Sequence, residues 1–376
     1  MAISVRFVLA CSAALATVLP LGLTSAEAAD TCSLTLLNSL PLTVTDNIAT
    51  VPASVGTKEK QFQIDTAALD NQMGRDAMAD FGLTAEDFEP SQSGGAGSFS
   101  VSQGSGLDIS GKQNGALSFG SASTGLNSNA IAIFNAKGTM FHSWADAKPF
   151  ALGVMHFDHL QFVVTDFPKP GNGGILSAKF LQKFDIDMNF SAHQLNMFAP
   201  NHCKGQVLYW RAPGVAKLPI RYQDGRITVR ASVDGREMDA VIDTGSQRSE
   251  IQFDDASRLF GITATSPGVT LVGDSLYAYN FKTLSFGDVS LDNPHLLLTR
   301  AALVRGADPN PRTGSLTRNS ADMPNQPPLT IGTDLLRLLH LYIAFNERMI
   351  YVTQGSELPE GDAKAMPVTT VTPFRP

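Results

Sequence analysis

Two short stretches of the chain carry the residues best suited to chemistry. They are Gln63-Ile64-Asp65-Thr66-Ala67-Ala68 and Val241-Ile242-Asp243-Thr244-Gly245-Ser246. Each ends an apolar, strand-like run in an aspartate, a threonine and two small residues. A single match of this kind is only a turn at the end of a strand. Two matches in similar settings offer a pair of carboxyls. Carboxyls that share a site cannot both ionise easily, so they hold one proton between them. One member can then take a proton from water while the other gives one to a carbonyl oxygen. Such a pair could activate water for hydrolysis without a covalent intermediate.

The surrounding sequence repeats in the same order. Gln61 to Leu83 and Asp239 to Ile262 each run apolar strand, Asp-Thr, polar loop, and a helix-like segment closing in Phe-Gly. The second copy carries one extra residue between its aspartate and that glycine. Gly173 to Phe198 and Pro328 to Val352 then align without gaps when Ser177 is set against Gly332. Leu181 meets Leu336, Phe190 meets Phe345, and Leu195 meets Ile350. Each unit gives an apolar strand, a short helix and two strands joined by a polar turn, Ser191 to Gln194 or Asn346 to Met349. The expected fold is all-β with short helices, in two similar lobes with a cleft between them. The expected boundaries are a leader at 1–29, lobes at 30–206 and 207–355, and a polar tail at 356–376. The passage between lobes falls in Val207 to Leu218.

On these residues the chain resembles the bacterial retropepsin-like aspartyl proteases, which are built as pepsin-like bilobal enzymes. Such lobes carry apolar-apolar-Asp-Thr/Ser-Gly-Ala/Ser early and apolar-apolar-Gly late. The second half matches with Asp243-Thr244-Gly245-Ser246 and Thr330-Ile331-Gly332. The first matches with Asp65-Thr66-Ala67-Ala68 and Ile175-Leu176-Ser177. The resemblance covers about Val51 to Val352. It implies an aspartic-type endopeptidase with Asp65 and Asp243 as the catalytic pair, needing no cofactor and no metal. It implies that Thr66 and Thr244 hydrogen-bond across the lobes. Gly245 lets backbone N–H groups approach the carboxylate, and Gly332 supports that loop from beneath.

The first half departs from this pattern twice, with Ala67 and Ser177 where glycine is expected. An alanine there costs about 1–3 kcal/mol if the backbone torsions are unusual, and almost nothing if φ stays negative. Ser246 has a hydroxyl that Ala68 lacks. Donation from Ser246 to the outer oxygen of Asp243 would favour its charged form and leave the shared proton on Asp65.

The ends and the composition set the compartment and the partners. Arg6, the apolar run from Phe7 to Leu23, and Ala26, Ala28 and Ala29 read as a secretory leader cleaved near Ala28 or Ala29. The 376 residues leave ample chain for two cores after its removal, and no later run is long enough to span a bilayer. A net charge of −7 argues against nucleic acid as a partner. The expected partner is a peptide or protein substrate, met by a periplasmic or secreted monomer with no membrane attachment after cleavage. Of three cysteines, Cys11 leaves with the leader, so Cys32 and Cys203 are candidates for one disulfide. His156 and His159 lack a full ligand set and read as core or solvated residues. Gly94-Gly95-Ala96-Gly97 reads as a flap or a surface loop, and Arg305 to Pro328 as a long exposed loop. Two rival functions keep the fold without the chemistry: a pseudo-peptidase that binds extended peptide, and a structural or assembly protein of the envelope.

Overall fold

The computed structural model describes residues 4–7, 33–87, 118–119, 143–165, 172–212, 214–223, 226–273, 275–300, 327–355 and 368–370. Most of the expected leader, Cys11, Cys32, the glycines at 94–97, nearly all of the expected 305–328 loop and most of the expected tail lie outside them. The described chain is mostly β. Two curled eleven-stranded sheets flank a seven-stranded one.

The elements follow the repeat. The first half contains β1 (Ile48–Val55), β2 (Lys58–Asp65), β3 (Gln72–Gly74), α1 (Arg75–Phe81), β4 (Leu160–Thr165), β5 (Asn172–Ser177), α2 (Ala178–Leu181), β6 (Asp185–Asn189) and β7 (Gln194–Phe198). The second contains β8 (Arg226–Val233), β9 (Arg236–Ile242), β10 (Ser249–Gln252), α3 (Phe253–Phe260), β11 (Leu296–Thr299), β12 (Leu329–Ile331), α4 (Thr333–Leu336), β13 (Leu339–Ala344) and β14 (Met349–Gln354). The hairpin β8–β9 turns on Asp234 and Gly235, both at positive φ, which suits the right-handed twist of the strands it joins. Gly82 and Gly261 close α1 and α3 in the left-handed conformation, at φ 77 and 67, where a side chain would be strained. The helices start at matching distances from their aspartates, so the extra residue of the second copy lies in α3. Burial then sorts the faces. Phe62, Phe150 and Phe162 interlock in the first half, and Phe253, Leu284 and Phe286 are buried in the second.

The sheet between the halves could not be drawn from the repeat alone. Its core order runs from Ala216–Pro219 through β14, β13, β6 and β7 to Leu34–Pro41. At its centre β6 and β13 pair antiparallel, with Ile186 opposite Ile343 and Met188 opposite Leu341. One backbone ladder thus joins the two copies. The passage between them includes a strand, Ala216–Pro219, on β14. Ser4–Phe7, inside the expected leader, pairs with the edge strand Val289–Asp292.

The chain from Ala199 to Trp210 covers one face of this sheet. Val207 packs with Leu34, Phe198, Tyr342 and Tyr351. His202, buried here, stands 2.5 Å from Asp185 of β6 and 3.0 Å from Glu347, which precedes β14. Tyr342 donates to Asp185 and Tyr351 to Glu347. Burial works against charge on His202, but Asp185 and Glu347 outweigh it and raise its pKa above the usual histidine value. A raised histidine pKa adds stability that is complete below its ordinary value and is lost as pH rises through the raised one. We expect the denaturant midpoint to fall with pH above the ordinary histidine range, and His202→Gln to flatten that slope. An unchanged slope in the variant would assign the loss elsewhere.

Cys203 is disulfide-bonded. Its expected partner, Cys32, lies outside the described residues, just before Leu34–Pro41. That strand runs beside β7, and Ala199 N–H donates to the Thr35 carbonyl at 2.9 Å.

Candidate active site

Each aspartate stands where a strand runs out into a tight loop. Asp65 ends β2, and Asp243 follows β9. The Asp65 Oδ1 accepts from the N–H groups of Ala67 and Ala68 at 2.8 and 2.7 Å. The Asp243 Oδ1 accepts from those of Gly245 and Ser246 at 2.9 and 3.0 Å. Two backbone donors on one oxygen fix the plane of each carboxyl.

The threonines tie the loops together across the halves. Thr66 Oγ1 donates to the Ile242 carbonyl at 2.7 Å and accepts from Thr244 N–H at 3.1 Å. Thr244 Oγ1 donates to the Ile64 carbonyl at 2.7 Å and accepts from Thr66 N–H at 3.1 Å. All four bonds are buried and related by an approximate two-fold axis. Gln63 adds a bond without a counterpart, donating to the Gly245 carbonyl at 3.1 Å.

Gly245 lies against the opposite carboxyl. A Cβ there would fall 2.1 Å from Asp65 Oδ2, closer than any side chain tolerates. Ala67, in the matching place, is buried and has no left-handed φ, so the strain weighed for it is absent. Both halves therefore form the same loop.

The strands beneath follow the same logic. β5 runs parallel to β2, with Ser177 level with Asp65, and β12 runs parallel to β9. A Cβ on Gly332 would come 2.5 Å from the Arg248 carbonyl, so this position requires glycine. Its N–H donates to Ser249 Oγ at 2.9 Å. In the first half Asn71 stands where Ser249 does, six positions after its aspartate. Asn71 Oδ1 accepts both the N–H and the hydroxyl of Ser177, at 3.0 and 3.1 Å. The serine in place of glycine is thus matched by a longer side chain opposite. Asn71 and Ser249 were missed in the sequence, and carrying the repeat alignment past the motif finds them. Asn71→Ala strands two buried donors, and we expect a loss of about 2–6 kcal/mol in urea unfolding, at roughly 1–3 kcal/mol per orphaned group. Ser177→Gly should cost well under half of that.

One sequence expectation is corrected. The Ser246 hydroxyl does not serve the outer oxygen of Asp243. It donates to the Arg248 carbonyl at 2.8 Å, satisfying backbone in its own loop, and Ser246 reaches Asp243 through its N–H. What favours a proton on Asp65 lies in its own surroundings. Asp65 is fully buried, and burial first and the charge of Asp243 second hold its carboxyl well above the usual range. The N–H groups of Ala67 and Ala68 and the charge of Arg226 work against that rise. Asp65 Oδ2 has no hydrogen-bond partner among the described residues.

The remaining candidates stand apart from this site. His156 is exposed on a short strand, and His159 pairs with Asp146 at 3.0 Å. Among the described residues no group of three or more His, Cys, Asp and Glu is arranged to hold a metal, and no helix is long and apolar enough to cross a membrane. No protein-family model matches the chain, and no curated protein matches it.

Proposed function

We propose that the chain is an aspartic-type endopeptidase acting on peptides or unfolded protein in the periplasm or outside the cell. The observation that carries this reading is the reciprocal Thr66–Thr244 bonding, which ties together the two matching loops that hold the buried carboxyls. The leader-like opening and the disulfide on Cys203 support the compartment.

In the reaction Asp243 begins ionised and Asp65 protonated, as the raised Asp65 pKa favours. Asp243 takes a proton from water while the water oxygen attacks the scissile carbonyl carbon. Asp65 gives its proton to the carbonyl oxygen, forming a gem-diol. The C–N bond then breaks. The nitrogen takes the proton held by Asp243, and Asp65 recovers one from a diol hydroxyl. No cofactor or metal enters this sequence.

The burial of both carboxyls, Asp65 at 0 % and Asp243 at 2 % exposure, favours a second reading, in which the fold is kept without turnover. Digestion of a peptide library at acidic and neutral pH, with Asp243→Asn as control, separates the two. Cleavage lost in the variant supports the peptidase. No cleavage by the unmodified protein at any pH supports the second reading.

A further inference from the structure

The two aspartate loops are near copies, but the strands behind them differ at one place. In the first half the ladder of β1 and β2 pairs Thr50 with Gln63, which brings Ile48 level with Asp65. In the second the ladder of β8 and β9 pairs Thr228 with Val241, which brings Arg226 level with Asp243. An aliphatic side chain and a guanidinium thus hold equivalent positions. Arg226 opens β8, its backbone paired with Gln223 of the strand Arg221–Gln223, and is only 5 % exposed. A guanidinium cannot shed its charge, so burying one demands negative charge within reach. Asp65 is one carboxyl within its electrostatic reach. The charge of Arg226 acts on Asp65, in the other half of the chain, against both burial and Asp243.

We propose that Arg226 is a positioning residue that holds the carboxyl pair in its singly ionised form, by placing a fixed positive charge beside the shared negative one. This rests on reading Asp65 and Asp243 as a pair that shares a proton, and it does not require turnover. The charged side chains that act on Asp65 are Asp243 from the second loop and Arg226 from β8, and its remaining partners are the N–H groups of Ala67 and Ala68. Without Arg226 the first ionisation of the pair moves to higher pH, and at acidic pH the pair lacks the base that activates water.

The test is a carbon-13 carboxyl NMR titration of the full chain, with the Asp65 and Asp243 signals assigned through Asp65→Asn and Asp243→Asn and folding checked by thermal unfolding. In Arg226→Met the first ionisation should rise by about one pH unit, the lower end of the effect of a nearby opposite charge. Arg226→Lys, which keeps the charge, should titrate close to the unmodified protein. Arg226→Gln keeps a hydrogen-bond donor without the charge and should rise like Met, which serves if the methionine variant does not fold. A folded Met or Gln variant that titrates as the unmodified protein does overturns the proposal. The titration uses no substrate. A shift without peptide cleavage therefore leaves Arg226 its role and removes the peptidase reading, and cleavage with an unshifted titration does the reverse.

Discussion

Asparagine at position 65 or 243 should reduce peptide hydrolysis by at least about a thousandfold, within the range assigned to a positioned general acid or base. The substitution is nearly isosteric. Its side-chain oxygen can still accept the two backbone N–H groups that each aspartate accepts. What is lost is the proton that one carboxyl gives or the negative charge with which the other takes one. Stability should move the other way for Asp65→Asn. A group whose pKa is raised in the folded chain adds stability in acid that is lost as pH rises through that raised value. Removing Asp65 removes that loss, so at neutral pH the variant should unfold at the same denaturant concentration or a higher one. A variant that loses activity together with its fold would mean that Asp65 is structural. Activity within tenfold of the unmodified protein would remove it from the chemistry.

The second large effect concerns the threonines. Valine at Thr66 deletes the oxygen that donates to the Ile242 carbonyl and accepts from Thr244 N–H. Valine at Thr244 does the same to Ile64 and Thr66. Each single change leaves one buried carbonyl and one buried N–H unpaired, at about 1–3 kcal/mol per group. We expect each to cost about 2–6 kcal/mol in urea unfolding. That is a large fraction of the 5–15 kcal/mol that holds a typical domain folded. The double variant should cost somewhat less than the sum, because the contact of Thr244 Oγ1 with Thr66 Oγ1 at 3.5 Å is lost to either change alone. A single-variant loss under about 1 kcal/mol would show that the halves are held elsewhere, with the β6–β13 ladder the first place to look.

Much of this was legible in the sequence because the chain states it twice. The order of strand, Asp-Thr loop, helix, strand and hairpin follows from periodicity and turn residues in both copies. The Phe-Gly endings marked helix stops that the structure realises at Gly82 and Gly261. The pairing of the two copies was less visible. The β6–β13 ladder joins residues over 150 positions apart, and no local pattern encodes such a contact. The buried cluster of His202, Asp185 and Glu347 was equally hidden, since histidine and carboxylates in sequence read as solvated until the cover over them is known. Ser246 shows the limit at finer scale. Its position beside Asp243 was legible, but a hydroxyl turns to whichever acceptor its loop presents, and the Arg248 carbonyl was nearer. Ala67 and Ser177 looked like damage because glycine was the reference. The structure shows an ordinary backbone at Ala67 and a matched partner, Asn71, for Ser177.

The most direct test of the central claim is digestion of a peptide library in oxygen-18 water, read by mass spectrometry, with the unmodified protein beside Asp65→Asn and Asp243→Asn. The account predicts cleaved peptides whose new carboxyl carries one oxygen from the solvent, and their absence with either variant. Cleavage that persists in both variants, or no cleavage by the unmodified protein from acidic to neutral pH, would contradict it.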